Sequence, residues 1–234
     1  MKKNLIILAA ILVVGSTAYA QPRFGVRGGL SMASSSFNSK EDLKASSVNG
    51  FHAGILFETS LFPFVSLQPE VLFDQRGSKL DLGGGVESTL RTNYATIPLF
   101  FKVSIPITSS FKANVHAGPY AGIALGGTRE LTLNGNKESS NVLVVNSYDQ
   151  AEATKPQVSL VDYGAIAGVG VSYDVIANIA VFLDVRYALG FAEVQKYAET
   201  SGPSTPSLDA MRDYQKAANR AVQISAGVSF KIGD

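Results

Sequence analysis

The sequence contains no cysteine, and only two of its 234 residues are histidines. The absence of cysteine excludes a disulfide, a thiolate metal site, a cysteine nucleophile and a lipid-anchored N-terminal cysteine. An excess of charge of one sign is also lacking, since 20 Lys and Arg face 19 Asp and Glu. The composition therefore does not indicate a basic face for nucleic acid. With 46% hydrophobic and 17% charged residues, the chain is not a disordered one.

Long hydrophobic runs are missing as well, except for one at the N-terminus. Two lysines precede the run LIILAAILVV, which is too short for a membrane-spanning helix of about 20 residues. The small residues AYA follow, so the segment predicts a secretory signal peptide, residues 1–20, cleaved after Ala20. An uncleaved anchor is the alternative. The predicted domain, residues 21–234, keeps 18 basic side chains (20 minus the two lysines) and 19 acidic ones.

Alternation of apolar and polar residues recurs along the rest of the chain, and this period of two predicts β-strands. In the segment QPEVLFDQRG, every second residue is apolar, and the residues between them are mostly charged or polar. The eight predicted strands cover residues 23–33, 49–61, 65–76, 92–105, 111–125, 160–174, 179–190 and 220–232. Each is long enough to cross a membrane as a tilted strand, which takes about 9–11 residues.

The connections between these strands are alternately long and short. The short ones are FPF, PITSS and DVIAN, and the long polar ones cover 34–48, 77–91, 126–159 and 191–219. This rhythm is typical of outer-membrane barrels. The sequence therefore predicts an all-β fold, an eight-stranded antiparallel up-and-down transmembrane β-barrel with short periplasmic turns and long extracellular loops. A water-soluble lipocalin-like barrel or a sandwich, with its apolar face inside, is the alternative.

The charged residues of the strands fall on the face that an outer-membrane barrel turns inward. An eight-stranded barrel is just wide enough for side chains to fill it, and unpaired buried charges are costly. We therefore predict a salt-bridged plug and no wide aqueous channel, with Asp74, Arg76 and Asp162 more solvated near the outer rim. The predicted structural charge network consists of Arg27, Glu58, Glu70, Asp74, Arg76, Lys102, Asp184 and Arg186.

Residues suited to catalysis are few. A lipid-deacylating enzyme needs a serine, a base and an orienting carboxylate within hydrogen-bond reach, and no compact set projects toward lipid. His52 is therefore interpreted as a hydrogen-bonding lumen residue near the outer rim, and His116 as one deeper in the barrel. Glu58 and Glu70 could form an acid–base couple, but lumen cations are their simpler partners. We expect no enzymatic activity, no catalytic residue, no metal and no cofactor.

Four motifs follow one another in order on the predicted strands. They are LQPEVLFDQRG on the third strand, YATIPLFFKV on the fourth, HAGPYAGIALGG on the fifth and DVRYALG on the seventh. Together they resemble the small outer-membrane β-barrel proteins of Bacteroidetes, the PorT-like family, over essentially the whole mature chain. The resemblance implies an eight-stranded barrel, usually without enzymatic activity. One class of members belongs to a secretion apparatus, a role that the resemblance does not transfer to this chain.

Three functions stay open at this point. The first is a structural or interaction barrel of the cell outer membrane, serving surface binding, envelope integrity or support of a secretion complex. The second is a narrow porin-like passage for small solutes, and the third is an envelope lipid hydrolase. The expected partners are outer-membrane lipid and envelope or secretion-complex proteins, without nucleic acid, around a monomeric barrel.

Two outer segments carry further predictions. In the last long connection, Ser207 is suited to cap a short helix that reaches about Asn219. The run NVLVVNSY, residues 141–148, is interpreted as a hairpin that extends the barrel above the membrane.

Overall fold

A computed structural model describes residues 22–36, 45–81, 84–133, 135–147, 156–196 and 218–232. The predicted signal peptide, residues 1–20, lies outside the described residues, and so does nearly all of the predicted helix at 207–219. Within the described ranges, no helix has the length and apolar character needed to cross a bilayer.

Eight of the strands form a closed ring. In chain order the strands are β1 Arg23–Ser36, β2 Ala45–Phe62, β3 Val65–Asp81, β4 Val86–Pro106, β5 Phe111–Leu133, β6 Asn136–Asn141, β7 Leu143–Val145, β8 Gln157–Ser159, β9 Val161–Ile176, β10 Ile179–Gly190, β11 Gln195–Lys196 and β12 Ala218–Lys231. The ring runs β1-β2-β3-β4-β5-β9-β10-β12, all pairs being antiparallel, and β12 pairs with β1 to seal it. The eight-stranded up-and-down barrel is thereby confirmed.

The outward face of the ring is apolar on every strand. Side chains such as Val71, Ile97 and Leu183 are each about half exposed or more, at 51%, 57% and 57%. Near the extracellular ends, Phe51 and Phe73 stack on neighbouring strands with their ring centroids 5.4 Å apart. A water-soluble barrel would bury this face, so the outward placement excludes the lipocalin-like alternative and fits a lipid-facing surface.

Strands β3, β4 and β5 continue well beyond their predicted ends. Pairing of β3 with β4 extends from Gly77↔Arg91 to Asp81↔Glu87, and β5 runs on to Leu133 before turning into β6. The prediction of polar loops over most of 77–91 and over the first part of 126–159 was therefore wrong. Above the bilayer neither face of a strand has to be apolar, so the membrane pattern fades there while the hydrogen-bonded pairing persists.

A small second sheet of β7, β8 and β11 lies at the extracellular end. The β5–β6 hairpin extends the barrel, but residues 143–145 of NVLVVNSY form β7, which pairs in parallel with β8. Val142 and Val158 pack with Tyr94 and Ala124, the last two being inward-facing residues of β4 and β5. These contacts bury Tyr94 at the extracellular end of the lumen, where it is only 2% exposed.

Candidate functional site

Four charged side chains meet in the middle of the barrel and form what we call the central cluster: Arg27, Glu70, Asp184 and Arg186. The Arg27 guanidinium donates to Glu70 Oε1 (3.0 Å) and to Asp184 Oδ1 (2.7 Å). Arg186 donates to both Glu70 oxygens (2.8 Å each) and its Nε lies 3.2 Å from Asp184 Oδ1. Each carboxylate thus contacts both arginines, and the two positive and two negative charges cancel.

A second set of charges, the outer cluster, lies nearer the extracellular end and consists of Asp74, Arg76, Tyr120 and Asp162. Arg76 donates to Asp74 Oδ2 (2.7 Å), to Asp162 Oδ2 (2.7 Å) and to the Tyr120 hydroxyl (3.1 Å). The expectation that these charges are more solvated was wrong, since Asp74 and Asp162 are 0% exposed and Arg76 is 2% exposed. The extended strands and the small outer sheet enclose them.

A layer of apolar side chains adds to this filling. Phe100, which is fully buried, packs with Tyr120 and Ile166 among the small side chains of Ala33, Ala188 and Ala221. The Arg186 guanidinium carbon lies 4.4 Å from the centre of the Phe100 ring, a cation–π contact. The three large side chains come from the neighbouring strands β4, β5 and β9, and the three alanines come from β10, β12 and β1, so large side chains on one side of the ring pack against small ones on the other.

The periplasmic end of the lumen is hollow by contrast. A cavity of about 280 Å³, which we call the periplasmic cavity, extends from the rim to Asp184 and Arg186. Three ion pairs lie along its wall, joining Lys102 Nζ to Glu58 Oε2 (2.9 Å) and both Arg23 Nη2 (3.1 Å) and Lys112 Nζ (2.8 Å) to Asp174. These side chains are between 14% and 33% exposed, so they are partly solvated.

The eight residues of the predicted charge network all lie in the lumen. Four of them make up the central cluster, Asp74 and Arg76 belong to the outer cluster, and Glu58 and Lys102 line the periplasmic cavity. The sequence reasoning missed Arg23 and Lys112 at the periplasmic rim. Their positions in the alternation would have identified them, since Arg23 is on the same face as Arg27, and Lys112 on the same face as His116.

The two histidines occupy different halves of the lumen. His52 Nε2 lies 2.8 Å from Ser225 Oγ, so a serine does reach this histidine, which the sequence did not reveal. His52 and Ser225 are buried, at 1% and 2% exposure, and neither is among the residues that line the periplasmic cavity. His116 lines the cavity, with its ring edge against Phe100. In the described part of the chain, no three His, Asp or Glu side chains are grouped to hold a metal ion.

The closed ring, the apolar outer face and the filled interior define an integral membrane β-barrel. A family model described as "Outer membrane protein beta-barrel domain" matches residues 19–195, and the chain belongs to this family. Its location is accordingly the outer membrane. No curated protein matches the chain.

Several solved structures are similar to this chain. Neisserial surface protein A (NspA) is 17% identical with a TM-score of 0.45, over 89% of this chain and 97% of that one. The outer membrane protein OprG from Pseudomonas aeruginosa is 13% identical with a TM-score of 0.49, over 92% and 98%. Ail, the attachment invasion locus protein of Yersinia pestis, is 10% identical with a TM-score of 0.38, over 90% and 99%.

Proposed function

We propose that this protein is a non-conducting outer-membrane barrel with a structural and interaction role, and that it is not an enzyme. The observation that carries the proposal is the filled lumen, in which the central and outer clusters lie in series between the periplasmic cavity and the extracellular side. A solute that crossed the barrel would have to separate arginines from carboxylates that are almost completely buried. Breaking one buried pair costs about 3–5 kcal/mol, so spontaneous passage is rare.

The extracellular extension supports the interaction role. All six residues of β6, Asn136–Asn141, are exposed, and among the described strands β6 pairs only with β5. A strand edge that is free on one side can accept an added strand from another polypeptide through main-chain hydrogen bonds. The extension therefore offers a surface for a partner outside the cell, whereas the lumen does not.

The finer assignment is part of the same proposal. The four sequence motifs fall on β3, β4, β5 and β10, all of which are ring strands. This arrangement supports a PorT-like barrel of Bacteroidetes, exported by the signal peptide at residues 1–20 and monomeric in the membrane. Envelope or secretion-complex proteins are then the partners to test by co-purification from intact envelopes.

Conductance in planar bilayers tests whether the lumen is closed. We expect the folded wild-type protein to give no discrete current steps. The control combines Glu70→Ser and Arg186→Ser in the central cluster with Asp74→Ser and Arg76→Ser in the outer cluster, which removes one charge of each sign from each of the two clusters. Current through this variant shows that the assay detects an opened lumen. Regular steps from the wild type would contradict the proposal in favour of a narrow passage.

Mass spectrometry of envelope lipids tests the enzymatic alternative. Cells with and without the protein should have the same lipid A and phospholipid species. A deacylated species that appears only with the wild-type protein would contradict the proposal and identify an envelope lipid hydrolase. His52→Ala would then show whether the buried contact between His52 and Ser225 is involved.

A further inference from the structure

We propose that the periplasmic cavity is a binding site for a small anion that carries a carboxylate or phosphate group and enters from the periplasm. The site is separate from the extracellular surface on which the proposed function depends. It ends at the central cluster, so a bound ion would be held in a closed-ended pocket. Its volume, about 280 Å³, is slightly below the range of pockets for drug-sized ligands, which is about 300–1,000 Å³, so it suits a small ion.

The charge of the cavity favours an anion. Four cationic side chains line it, namely Arg23, Lys102, Lys112 and Arg186. The carboxylates that line it are Glu58, Asp174 and Asp184, so the described lining has an excess of one positive charge (four minus three). Including Arg27 and Glu70, which complete the central cluster, adds one charge of each sign and leaves the excess unchanged.

The excess charge lies near the mouth of the cavity. Asp174 is shared by two cations, Arg23 at 3.1 Å and Lys112 at 2.8 Å, so one carboxylate balances two positive charges. An oxyanion at the mouth would bring a second negative charge to these two cations, and hydrogen bonds between charged groups are stronger than neutral ones.

A ladder of polar side chains leads from the mouth inward. Lys112, Asn114 and His116 occupy successive inward positions of β5, and all three line the cavity. His116 is only 2% exposed, yet its Nε2 has no hydrogen-bond partner. Because this nitrogen has almost no accessible surface, the contact with the anion falls to Lys112 and Asn114, and the His116 ring lies beside the site as part of the cavity wall.

Several of the other wall residues are small, and they leave space beside larger neighbours such as Leu56 and Phe182. Ser104, Ser172, Ala180 and Ser229 line the cavity, where the extracellular half has aromatic and long side chains. A volume of about 280 Å³ exceeds the share of one water molecule, about 30 Å³, several times over. The cavity is thus large enough for an inorganic phosphate or a short dicarboxylate with some of its water.

The two histidines make a direct test possible, because one lies in the cavity and the other in the plug. The untagged full-length protein, folded in zwitterionic detergent at low ionic strength, would carry isotope-labelled histidine for NMR. Inorganic phosphate in one titration and succinate in another should shift the His116 signals saturably and leave His52 unchanged. Sodium chloride at equal ionic strength is the control. The stronger of the two titrations identifies the preferred anion class.

Variants then locate the site. Lys112→Gln should weaken binding by about tenfold or more, as expected when a charge-assisted contact is lost. The matched control is Lys79→Gln, which removes a lysine of similar exposure from an extracellular pair with Glu87 at the same distance, 2.8 Å. Binding to Lys79→Gln should be unchanged.

Three results would overturn the proposal: His116 signals that do not respond to either anion, equal shifts at both histidines, or equal weakening by the two lysine variants. The first two are measured on the wild-type protein, so they do not depend on the folding of a variant. The same failures leave the closed-barrel proposal untouched, since that proposal is tested by conductance. Silent bilayers together with an unresponsive His116 would reject the anion site alone.

Discussion

The extracellular and periplasmic halves of the lumen are enclosed by the same eight strands but are filled differently. Toward the outside, Arg76, Tyr94, Phe100 and Tyr120 are each less than 5% exposed and occupy the interior. Toward the periplasm, serines and an alanine, together with larger side chains such as Leu56 and Phe182, line a cavity of about 280 Å³. The strand number sets the width of a barrel. In this protein, the size of the inward side chains decides which part of that width remains open.

The two halves also differ in charge. The outer cluster has one arginine for two aspartates, whereas the cavity lining has four cations for three carboxylates. The neutral central cluster separates them. A lumen built in this way blocks passage while keeping an electropositive pocket open on one side. A closed barrel and an anion site at its periplasmic end are therefore compatible.

The largest expected effect comes from breaking the central cluster. Glu70→Gln keeps the shape of the side chain but removes the negative charge that contacts both Arg27 and Arg186. Two buried arginines then share Asp184 alone, and we expect the free energy of unfolding to fall by about 3–5 kcal/mol. Reversible urea unfolding in lipid vesicles, followed by circular dichroism, measures the loss.

Glu58→Gln is the matched comparison for this variant. Glu58 forms a single ion pair with Lys102 in the hollow half, and its side chain is 17% exposed. Its removal should cost clearly less than the removal of Glu70, because solvent reaches the lysine left behind. Equal losses in the free energy of unfolding would contradict the distinction between a buried central cluster and a partly solvated periplasmic cavity.

Much of this architecture could be predicted from alternation alone. On a membrane-spanning strand the lipid requires one apolar face, so Val71 and Phe73 revealed the orientation of Glu70 and Asp74. The seventh predicted strand, residues 179–190, agrees with β10 at both ends. The same alternation placed all eight charged residues of the predicted network on the inner face.

The strand extensions and the enclosure of the outer cluster could not be predicted in this way. Residues 77–81 and 86–91 pair above the bilayer, where water surrounds the strands and polar residues can occupy both faces. The alternation of apolar and polar residues is therefore lost there, and the sequence does not indicate that the strands continue. The burial of Tyr94 depends on Val158 of a separate sheet, a contact between segments distant in the sequence. The cavity was also missed, because an inward serine indicates hollow space only when its neighbours across the barrel are known.

The second prediction compares overpacking in the two halves. Ala188→Leu places a larger side chain among Phe100 and Ile166, a level that is already filled. We expect a loss of about 1–3 kcal/mol in the free energy of unfolding. Ser172→Leu adds similar bulk to the periplasmic cavity and should cost less, since the space is there. The same unfolding experiment measures both, and an equal cost would argue against the cavity.

The third prediction removes one hydroxyl group from the outer cluster. Tyr120→Phe deletes an oxygen that accepts from Arg76 and donates to Asp162. A buried hydrogen bond to a charged group contributes about 1.5–3 kcal/mol, so we expect a loss of about that size. Tyr163→Phe is the control on the lipid-facing surface, where Tyr163 is 52% exposed, and should change stability little. A neutral Tyr120→Phe would mean that Asp162 is held without it.

The smallest effect is expected outside both halves, on the β5–β6 hairpin. Lys137 donates to Glu130 at 2.8 Å, and this hydrogen bond and the lysine charge lower the pKa of the Glu130 carboxyl. Because a lowered pKa favours the folded state above the ordinary pKa of glutamate, that contribution is lost as the pH falls through the folded value. Lys137→Gln should return the pKa of Glu130 toward its ordinary value. An NMR titration measures this, and added salt should shrink the difference between the two proteins, since exposed charges are screened. A salt-independent difference would mean that this pair is shielded from solvent like the clusters of the lumen.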